Sequence, residues 1–322
     1  MFLDRDTKFI DLFAGIGGFH QAMARVGGCE CVYASDIDKY ARQTYEANYG
    51  IEPGGDITKV DAADIPSHDV ICAGFPCQAF SISGNQLGFE DARGTLFAEI
   101  VRIAKHHKPK MLFLENVWNL RNHDHGNTFK VICAALDEAG YDVWSQVLNA
   151  SEYGVPQPRK RIYIICLRKD LGLAPFEFPE PTNEDVALED ILLHDESVER
   201  YVVPMDNITL IDQSEIDALG RRNKPQRIGT YGRGGQGERV YSPKGHAITL
   251  SAYGGGIGGK TGLYLVDGKV RKLSPRECLR LMGYPDEFVM PVSDAQAWKQ
   301  TGNSVCVKVL VRILEAVNEQ YS

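Results

Sequence analysis

Several residues able to act as nucleophiles or bases stand just after short apolar runs, where strands of a sheet would end. Cys77 follows the apolar run 70–73 within a proline-constrained turn, and a cysteine there could serve as a nucleophile. A free cysteine has a pKa of about 8.5, so little thiolate is present at neutral pH unless neighbouring groups stabilise it. Because a lone cysteine is most often structural, Cys77 needs partners before it predicts an enzyme.

Glu115 and two arginines are the candidate partners of this cysteine. Glu115 ends the apolar run 111–114, where a buried carboxylate is unfavourable without a partner or a function. Arg159 and Arg161 precede the apolar run 162–167, and two-residue alternation would place them on one side of an extended chain. Their guanidinium groups could stabilise a thiolate, orient Glu115 or bind a phosphate. For each residue the alternative is a solvated charge or a structural ion pair.

A second group of residues fits an adenosine-containing ligand. The segment 11–18 is rich in glycine, but it is not the dinucleotide fingerprint, because G-x-G-x-x-G would need glycine where His20 stands. Asp36 follows the second apolar run, where a carboxylate could bind both ribose hydroxyls. Asp56 follows the next element and could bind an adenine amino group. These three features predict an adenosine cofactor without a pyrophosphate, although a tight turn alone would also explain the glycines.

The first half of the chain has the alternating pattern needed to position these residues. Apolar runs predict strands and amphipathic stretches predict helices. The predicted strands are 9–13, 30–34, 70–73, 111–114 and 162–167, and the predicted helices are 17–26, 40–49, 96–106 and 128–139. This alternation predicts the α/β class, with a doubly wound, mostly parallel sheet that binds its ligands at the carboxyl ends of the strands.

The second half of the chain has a different composition, and the change near residues 176–181 predicts an exit from the first domain. Residues 229–262 contain 12 of the 32 glycines, a density typical of loops that approach another molecule closely. Residues 220–245 contain seven bases and one acid, whereas residues 184–199 contain seven acids and no base. This segregation favours a positive face that contacts phosphates, although two solvated charge runs would look the same.

The overall composition predicts a cytoplasmic globular protein. The 322 residues are 43% hydrophobic and 24% charged, with a net charge of −8. No apolar run reaches the roughly 18 residues that span a bilayer, and the first residues lack the pattern of a signal peptide. None of the eight cysteines forms a C-x-x-C pair, so neither a disulfide framework nor a metal site is predicted.

The chain resembles the cytosine-5 DNA methyltransferase family over essentially its whole length. Six ordered segments carry the resemblance: F-A-G-I-G-G, P-C-Q, E-N-V, Q-P-R-K-R, R-K-L-S-P-R-E-C-L-R-L-M-G-Y-P and G-N-S-V. The resemblance implies the Rossmann-like fold of S-adenosylmethionine-dependent methyltransferases, with a smaller, glycine-rich target-recognition domain of strands and loops. The implied divisions are 1–188 with 300–322 for catalysis and cofactor binding, 189–273 for target recognition, and 274–299 for a hinge.

The resemblance also implies a mechanism and a cofactor, S-adenosylmethionine. Cys77 would add to carbon 6 of a cytosine flipped out of duplex DNA, and Glu115 would contact ring N3 and the exocyclic amine. Arg161 and Arg159 would contact the base and the neighbouring phosphate or sugar. The implied cofactor-binding residues occupy matching positions: Phe13, Ile16, Gly17, Asp36, Ile37, Asp56, Ile57, Gly74, Pro76, Leu96, Asn303 and Ser304. One departure is Asp36-Ile37, where a close relative in the family has Glu-Trp, so aliphatic packing would replace aromatic stacking on adenine.

Double-stranded DNA is the implied partner, and a monomer without a protein partner is expected. The implied DNA contacts are Ser83, Arg233, Gln236, Arg239 and Tyr253. Ser83 and Gln236 would fill the gap left by the flipped base, while Tyr253 and Arg239 would contact the backbone and base edges. The similarity of the target-reading segments implies the sequence GCGC, methylated at its inner cytosine.

Three other functions are compatible with parts of the pattern. The same fold could methylate cytosine in RNA, as a transfer-RNA branch of this family does, although the glycine- and arginine-rich segment 229–262 favours DNA. A DNA-binding protein with a vestigial cofactor site is disfavoured by the intact Cys77, Glu115 and Arg161. A nicotinamide-dependent oxidoreductase is disfavoured by the broken glycine fingerprint.

Overall fold

A computed structural model describes residues 1–76 and 95–322, and the chain crosses more than once between two units. Unit 1 comprises Met1–Leu148, Lys160–Glu180 and Leu310–Ser322, and unit 2 comprises Asn149–Arg159 and Pro181–Val309. The division into a catalytic domain, a target-recognition domain and a hinge stays a prediction. In the division into two compact units, the predicted hinge segment 274–299 belongs to unit 2.

The described strands of the first half form one sheet. They are β1 (Lys8–Leu12), β2 (Glu30–Ser35), β3 (Val70–Gly74), β4 (Met111–Val117), β5 (Tyr141–Asn149) and β6 (Lys160–Arg168). Their order is β2-β1-β3-β4-β6-β5. The pairs β1–β2, β1–β3 and β3–β4 are parallel, and β4–β6 is antiparallel. The predicted mostly parallel sheet is confirmed, and β5 is a strand that sequence reasoning missed.

The predicted helices of this half are confirmed, with ends shifted by a residue or so. They are α1 (Gly18–Gly27), α2 (Lys39–Tyr49), α3 (Leu96–His107) and α4 (Asn127–Glu138). Asp38 begins α2 by accepting the N–H of Tyr40 at 2.9 Å, and Thr95 begins α3 by accepting that of Ala98 at 3.3 Å. Within the described ranges, no helix is long and apolar enough to cross a membrane.

The core of unit 1 lies between the sheet and its helices. Val101 of α3 belongs to the same buried cluster as Ile71 of β3 and Leu112 of β4, and all three side chains are 0% exposed. Burial of each such side chain stabilises the fold by about 1.5–3 kcal/mol. The packing fixes the strand register, which aligns Gly74 with Glu115 and Leu12 with Ser35, so the carboxyl ends of four parallel strands share one edge.

Unit 2 contains a second, smaller sheet. Its described strands are β7 (Ile208–Leu210), β8 (Gln226–Tyr231), β9 (Arg239–Ser242), β10 (Leu263–Val266) and β11 (Lys269–Arg271), in the order β11-β10-β9-β8-β7. Buried Ile228, Val240 and Leu263 centre its apolar core. The remaining helices of the described chain are α5 (Gln213–Asp217), α6 (Pro275–Met282), α7 (Asp294–Asn303) and α8 (Val307–Tyr321).

Helix α6 is tied to the small sheet by a buried ion pair. The sequence Ser274-Pro275-Arg276-Glu277 forms a capping box with proline in the first turn. Glu277 also accepts from the guanidinium of Arg271 at 2.7 Å, and the two side chains are 0% and 3% exposed. The glutamate therefore both caps α6 and neutralises the last residue of β11.

Candidate functional site

Glu115 and Arg161 form an ion pair on neighbouring antiparallel strands. Arg161 Nε lies 3.1 Å from Glu115 Oε1. In the β4–β6 register Glu115 faces Tyr163 and Val117 faces Arg161, so the two charged side chains are diagonal neighbours on one face. Glu115 is 7% exposed, and a buried carboxylate without such a partner would destabilise the fold. The structure thus brings together two of the predicted catalytic residues.

The end of β3 adjoins this ion pair. Gly74 pairs with Glu115 in the sheet, and the Asn116 side chain donates to the carbonyl of Phe75 at 2.8 Å. This bond ties the turn after β3 to the edge of β4. The next residues of the chain, from Cys77 to position 94, lie outside the described residues. The predicted nucleophile Cys77 and the predicted gap-filling Ser83 therefore stay predictions.

A cavity of about 190 Å³ lies in unit 1 beyond the ends of β1 and β2. Its lining combines carboxylates with apolar side chains and consists of Phe13, Ser35, Asp36, Ile37, Gly55, Asp56, Ile57, Pro76 and Leu96. The sequence reasoning had selected these residues except Ser35 and Gly55, each of which adjoins a selected aspartate. Of the other selected residues, Ile16, Gly17 and Gly74 lie elsewhere in unit 1, and Asn303 and Ser304 belong to unit 2.

Asp36 is held in this cavity by two backbone hydrogen bonds. Its Oδ2 accepts from the N–H of Gly15 at 2.8 Å, and its Oδ1 accepts from the N–H of Asp38 at 2.8 Å. Burial raises the pKa of Asp36, and these two bonds oppose the rise. The carboxylate is fixed in orientation, and each oxygen keeps a lone pair for a ligand hydroxyl.

The pKa of Asp56 is shifted in the opposite direction to that of Asp36. It begins a short turn of 3₁₀ helix (Ile57–Lys59), and its Oδ1 accepts from the hydroxyl and the N–H of Thr58 at 2.8 and 3.1 Å. These bonds lower the pKa of Asp56, chiefly through the hydroxyl. The site therefore offers two fixed carboxylates, one half-buried at the end of β2 and one at the start of a turn.

The glycine-rich turn after β1 has three residues in left-handed conformation. They are Phe13 (φ +55°), Gly15 (φ +55°) and Gly17 (φ +82°). Glycine adopts this region without penalty, whereas Phe13 pays about 1 kcal/mol or more. The N–H of Gly17 donates to the carbonyl of Ala14 at 2.8 Å, which closes the turn before α1 begins.

Arg159 has a buried side chain in unit 2. Strand β6 begins at Lys160, one residue after Arg159, and Arg159 belongs to unit 2. That Arg159 and Arg161 lie on one side of the chain stays a prediction. Its side chain is buried at 2% exposure. The guanidinium donates to three backbone carbonyls of unit 2, those of Leu250 at 3.3 Å, Gly302 at 3.0 Å and Ser304 at 2.6 Å. A contact with the substrate base stays a prediction.

Asn303 and Ser304 differ in what they offer to a ligand. Asn303 ends α7 and is exposed. The Ser304 hydroxyl is buried and lies 2.7 Å from the hydroxyl of Tyr284. The cofactor contacts implied for both residues stay predictions.

Two glycine-rich loops of unit 2 pack backbone against backbone. The N–H of Gly258 donates to the carbonyl of Gly237 at 2.8 Å. A Cβ on Gly237 would overlap the backbone of the facing loop at Gly255, so glycine is required at this contact. A Cβ on Gly254 or Gly259 would overlap backbone within the loop that contains both, so these glycines are required for the fold of that loop. The contact brings together Gln236, in the turn before β9, and Tyr253, whose side chain is 78% exposed.

The basic run has two distinct parts. Arg221 is paired with Glu189 at 3.0 Å and with Asp190, both from the acidic run, and therefore adds little to a positive face. Arg233 and Arg239 are exposed, and neither has an acidic partner within residues 1–76 and 95–322. The charge segregation seen in the sequence is thus partly cancelled, and Arg233 and Arg239 are two of the charges that keep no acidic partner among the described residues.

A family model described as C-5 cytosine-specific DNA methylase matches residues 7–319. The type II methyltransferase M.HhaI of Haemophilus parahaemolyticus is 54% identical over 94% of this chain and 91% of its own length. M.NlaX of Neisseria lactamica is 45% identical over 98% of this chain and 97% of its own length.

Solved structures match the fold at low sequence identity. A putative DNA modification methyltransferase encoded within an E. coli prophage has a TM-score of 0.71 at 22% identity, covering 98% of this chain and 99% of that chain. The Dnmt2 methyltransferase of S. pombe has a TM-score of 0.70 at 19% identity, with the same coverage of 98% and 99%. The predicted fold class is confirmed.

Proposed function

Because the chain belongs to the family of C-5 cytosine-specific DNA methylases, we propose that it methylates the inner cytosine of GCGC as the modification enzyme of a restriction–modification system. The family and the type II relatives make it a site-specific DNA cytosine-5 methyltransferase. The observation that carries the proposed chemistry is the pair Glu115–Arg161 at the strand-end edge of the sheet. The target sequence rests on the resemblance of segments 232–239 and 250–256 to the target-reading region of the family.

In the proposed reaction Glu115 binds N3 and the exocyclic amine of the flipped cytosine, and Arg161 holds the glutamate in place. Protonation or hydrogen bonding at N3 makes carbon 6 electrophilic, and the thiolate of Cys77 adds there. Covalent addition replaces one difficult step by two easier ones. After carbon 5 gains the methyl group, loss of its proton returns the electron pair to the ring and expels the cysteine.

S-adenosylmethionine, when bound, supplies the electrophilic methyl group. The chemistry of the cavity fits its adenosine part: the fixed carboxylate of Asp36 would accept from the two ribose hydroxyls, and Asp56 would accept from the adenine amine. Phe13, Pro76 and Leu96 supply apolar surface for the base. The contacts of Ile16, Gly17, Gly74, Asn303 and Ser304 belong to the same proposal.

For DNA, the exposed guanidinium groups of Arg233 and Arg239 would contact phosphates and base edges, and Tyr253 would contact the backbone. Gln236 and Ser83 would enter the gap that the flipped cytosine leaves. Flipping requires a few kcal/mol, which such contacts would offset. A monomer acting on duplex DNA without a protein partner completes the proposal.

Replacing Ile37 by tryptophan should tighten cofactor binding. Ile37 lines the cavity but is 78% exposed, so it covers little of a bound adenine. An aromatic ring there adds stacking, and we expect the dissociation constant of S-adenosylhomocysteine to fall by about 3- to 10-fold. Isothermal titration calorimetry measures it, with Ile37→Leu as the size-matched aliphatic control. Equal affinities for Ile37→Trp and Ile37→Leu would show that adenine does not lie against this position.

Bisulfite sequencing of a random-sequence plasmid, after incubation with the protein and S-adenosylmethionine, tests the proposed function. We expect methylation confined to the inner cytosine of GCGC, with none from Cys77→Ser because that variant lacks the thiolate. Methylation at another short motif would support the proposed methyltransferase activity but reject GCGC as its target. Absence of DNA methylation, with tritium transfer from the cofactor to transfer RNA instead, would reject the DNA substrate.

A further inference from the structure

We propose that Tyr49 is a positioning residue for the cofactor site, holding the glycine turn 13–17 in its left-handed conformation from outside the cavity. The proposal rests on the proposed function, since it takes this turn as part of the S-adenosylmethionine site. Tyr49 ends α2 and does not line the cavity. Its effect on the ligand would therefore pass through the backbone of the turn.

The hydroxyl of Tyr49 bonds directly to the turn. It donates to the carbonyl of Gly17 at 2.9 Å and lies 3.3 Å from that of Ile16. The ring lies so close to Gly17 that a Cβ there would overlap it. Gly17 is thus glycine for two reasons: its φ is +82°, and Tyr49 occupies the space of a side chain.

The turn is fixed at two points by side chains outside it. On the cavity side, the Asp36 carboxylate holds the N–H of Gly15 at 2.8 Å. Outside the cavity, the Tyr49 hydroxyl holds the carbonyl of Gly17 at 2.9 Å and lies close to that of Ile16. Backbone in a sparsely populated conformation persists only where its surroundings hold it, and Phe13 in the same turn has such a conformation without being glycine. Removal of either of these two hydrogen bonds should let the turn relax away from the conformation that binds the ligand.

Tyr49 is in turn fixed by a small aromatic cluster. The ring of His20 stacks on it, with centroids 3.8 Å apart and planes within 12°. His20 Nδ1 lies 2.8 Å from the hydroxyl of Tyr45, which is fully buried and 3.4 Å from the sulfur of Cys31. Burial lowers the pKa of His20 to about 4, so the stacked imidazole is neutral at neutral pH. The cluster connects α1, α2 and β2 behind the turn.

Tyr49→Phe tests the proposal because it removes the hydroxyl and keeps the ring that stacks on His20. We expect the dissociation constant of S-adenosylhomocysteine to rise by about 3- to 10-fold, the size of one lost hydrogen bond. The kcat at saturating cofactor and the affinity for duplex DNA should stay at wild-type values. Amide exchange of Gly17 and His20 in the cofactor-free protein should become faster. The control is Tyr40→Phe on the same helix, whose ring is exposed and should leave all four quantities unchanged.

Each outcome decides the matter. Wild-type cofactor affinity in Tyr49→Phe would overturn the positioning role alone. Parallel losses of kcat, DNA affinity and thermal stability would also overturn it, because they would mark a general structural role. A wild-type protein that binds no S-adenosylhomocysteine would overturn the proposed function, and this inference with it.

Discussion

Glu115→Gln is expected to lower the single-turnover rate of methyl transfer by about 10³-fold while the protein stays folded. The variant keeps the shape of the side chain and an oxygen that can accept from Arg161, which lies 3.1 Å away in the wild type. It loses the negative charge that would hold a proton at N3 of the cytosine. Carbon 6 then stays a poor electrophile, and the cysteine adds slowly.

Transfer of tritium-labelled methyl groups to a GCGC duplex, at enzyme excess and saturating cofactor, measures this rate. Glu138→Gln is the matched control, because Glu138 is paired with Lys105 at 3.0 Å on the surface of unit 1. It should retain the wild-type rate. A Glu115→Gln rate within tenfold of wild type would contradict the assigned role and leave the Glu115–Arg161 pair as a structural ion pair.

Arg159→Met is expected to lower the free energy of unfolding by about 3–5 kcal/mol. The guanidinium is 2% exposed and satisfies the carbonyls of Leu250, Gly302 and Ser304. Methionine fills much of the volume but donates nothing, so three buried carbonyls lose their partner at about 1–3 kcal/mol for each one that water cannot reach. The expected loss is large because one side chain serves segments that are far apart in sequence.

Urea unfolding, followed by tryptophan fluorescence and circular dichroism, measures the loss. Arg159→Lys should recover part of it, since an ammonium group can reach some of the same carbonyls. Arg161→Lys is the contrasting variant, because it keeps a positive charge beside Glu115 and should reduce methylation with a much smaller loss of stability. An Arg159→Met protein of wild-type stability but without activity would instead support the substrate contact implied by the family resemblance.

The strands and helices around the site were predictable because each leaves a clear local pattern. Strands β3 and β4 begin with continuous apolar runs, and β1 is buried at every position after Lys8, as expected for strands covered on both faces. Helices α2 and α3 begin at side chains that cap them. Strand β5 was missed because it lies at the edge of the sheet, where exposed and buried positions do not alternate regularly. Its polar residues interrupt the alternation of apolar and polar positions from which a strand is predicted.

Parts of the candidate site were predictable because a charged residue directly after an apolar run is expected to lie at the end of a strand. Asp36 and Glu115 are of this kind, since a carboxylate closing an apolar run has few other places to lie. The surroundings of Arg159 were not predictable, because alternation describes an extended chain and cannot show where the chain leaves it. The role of Tyr49 was also hidden, since its partners Gly17 and His20 are about thirty residues away in the sequence.

Under the proposed DNA contacts, the packing of the two glycine loops has a consequence for altering the target sequence by directed evolution. A side chain at Gly237 would push the two loops apart, and one at Gly254 or Gly259 would distort the second loop itself. Gln236, Arg239 and Tyr253 lie close to these glycines in the sequence and have room for other side chains. A library that randomises these three positions keeps the loop packing intact, so its members can differ in which base pairs they select and still fold alike. The glycine positions must therefore be kept constant in such a library, whereas the exposed positions next to them can be varied.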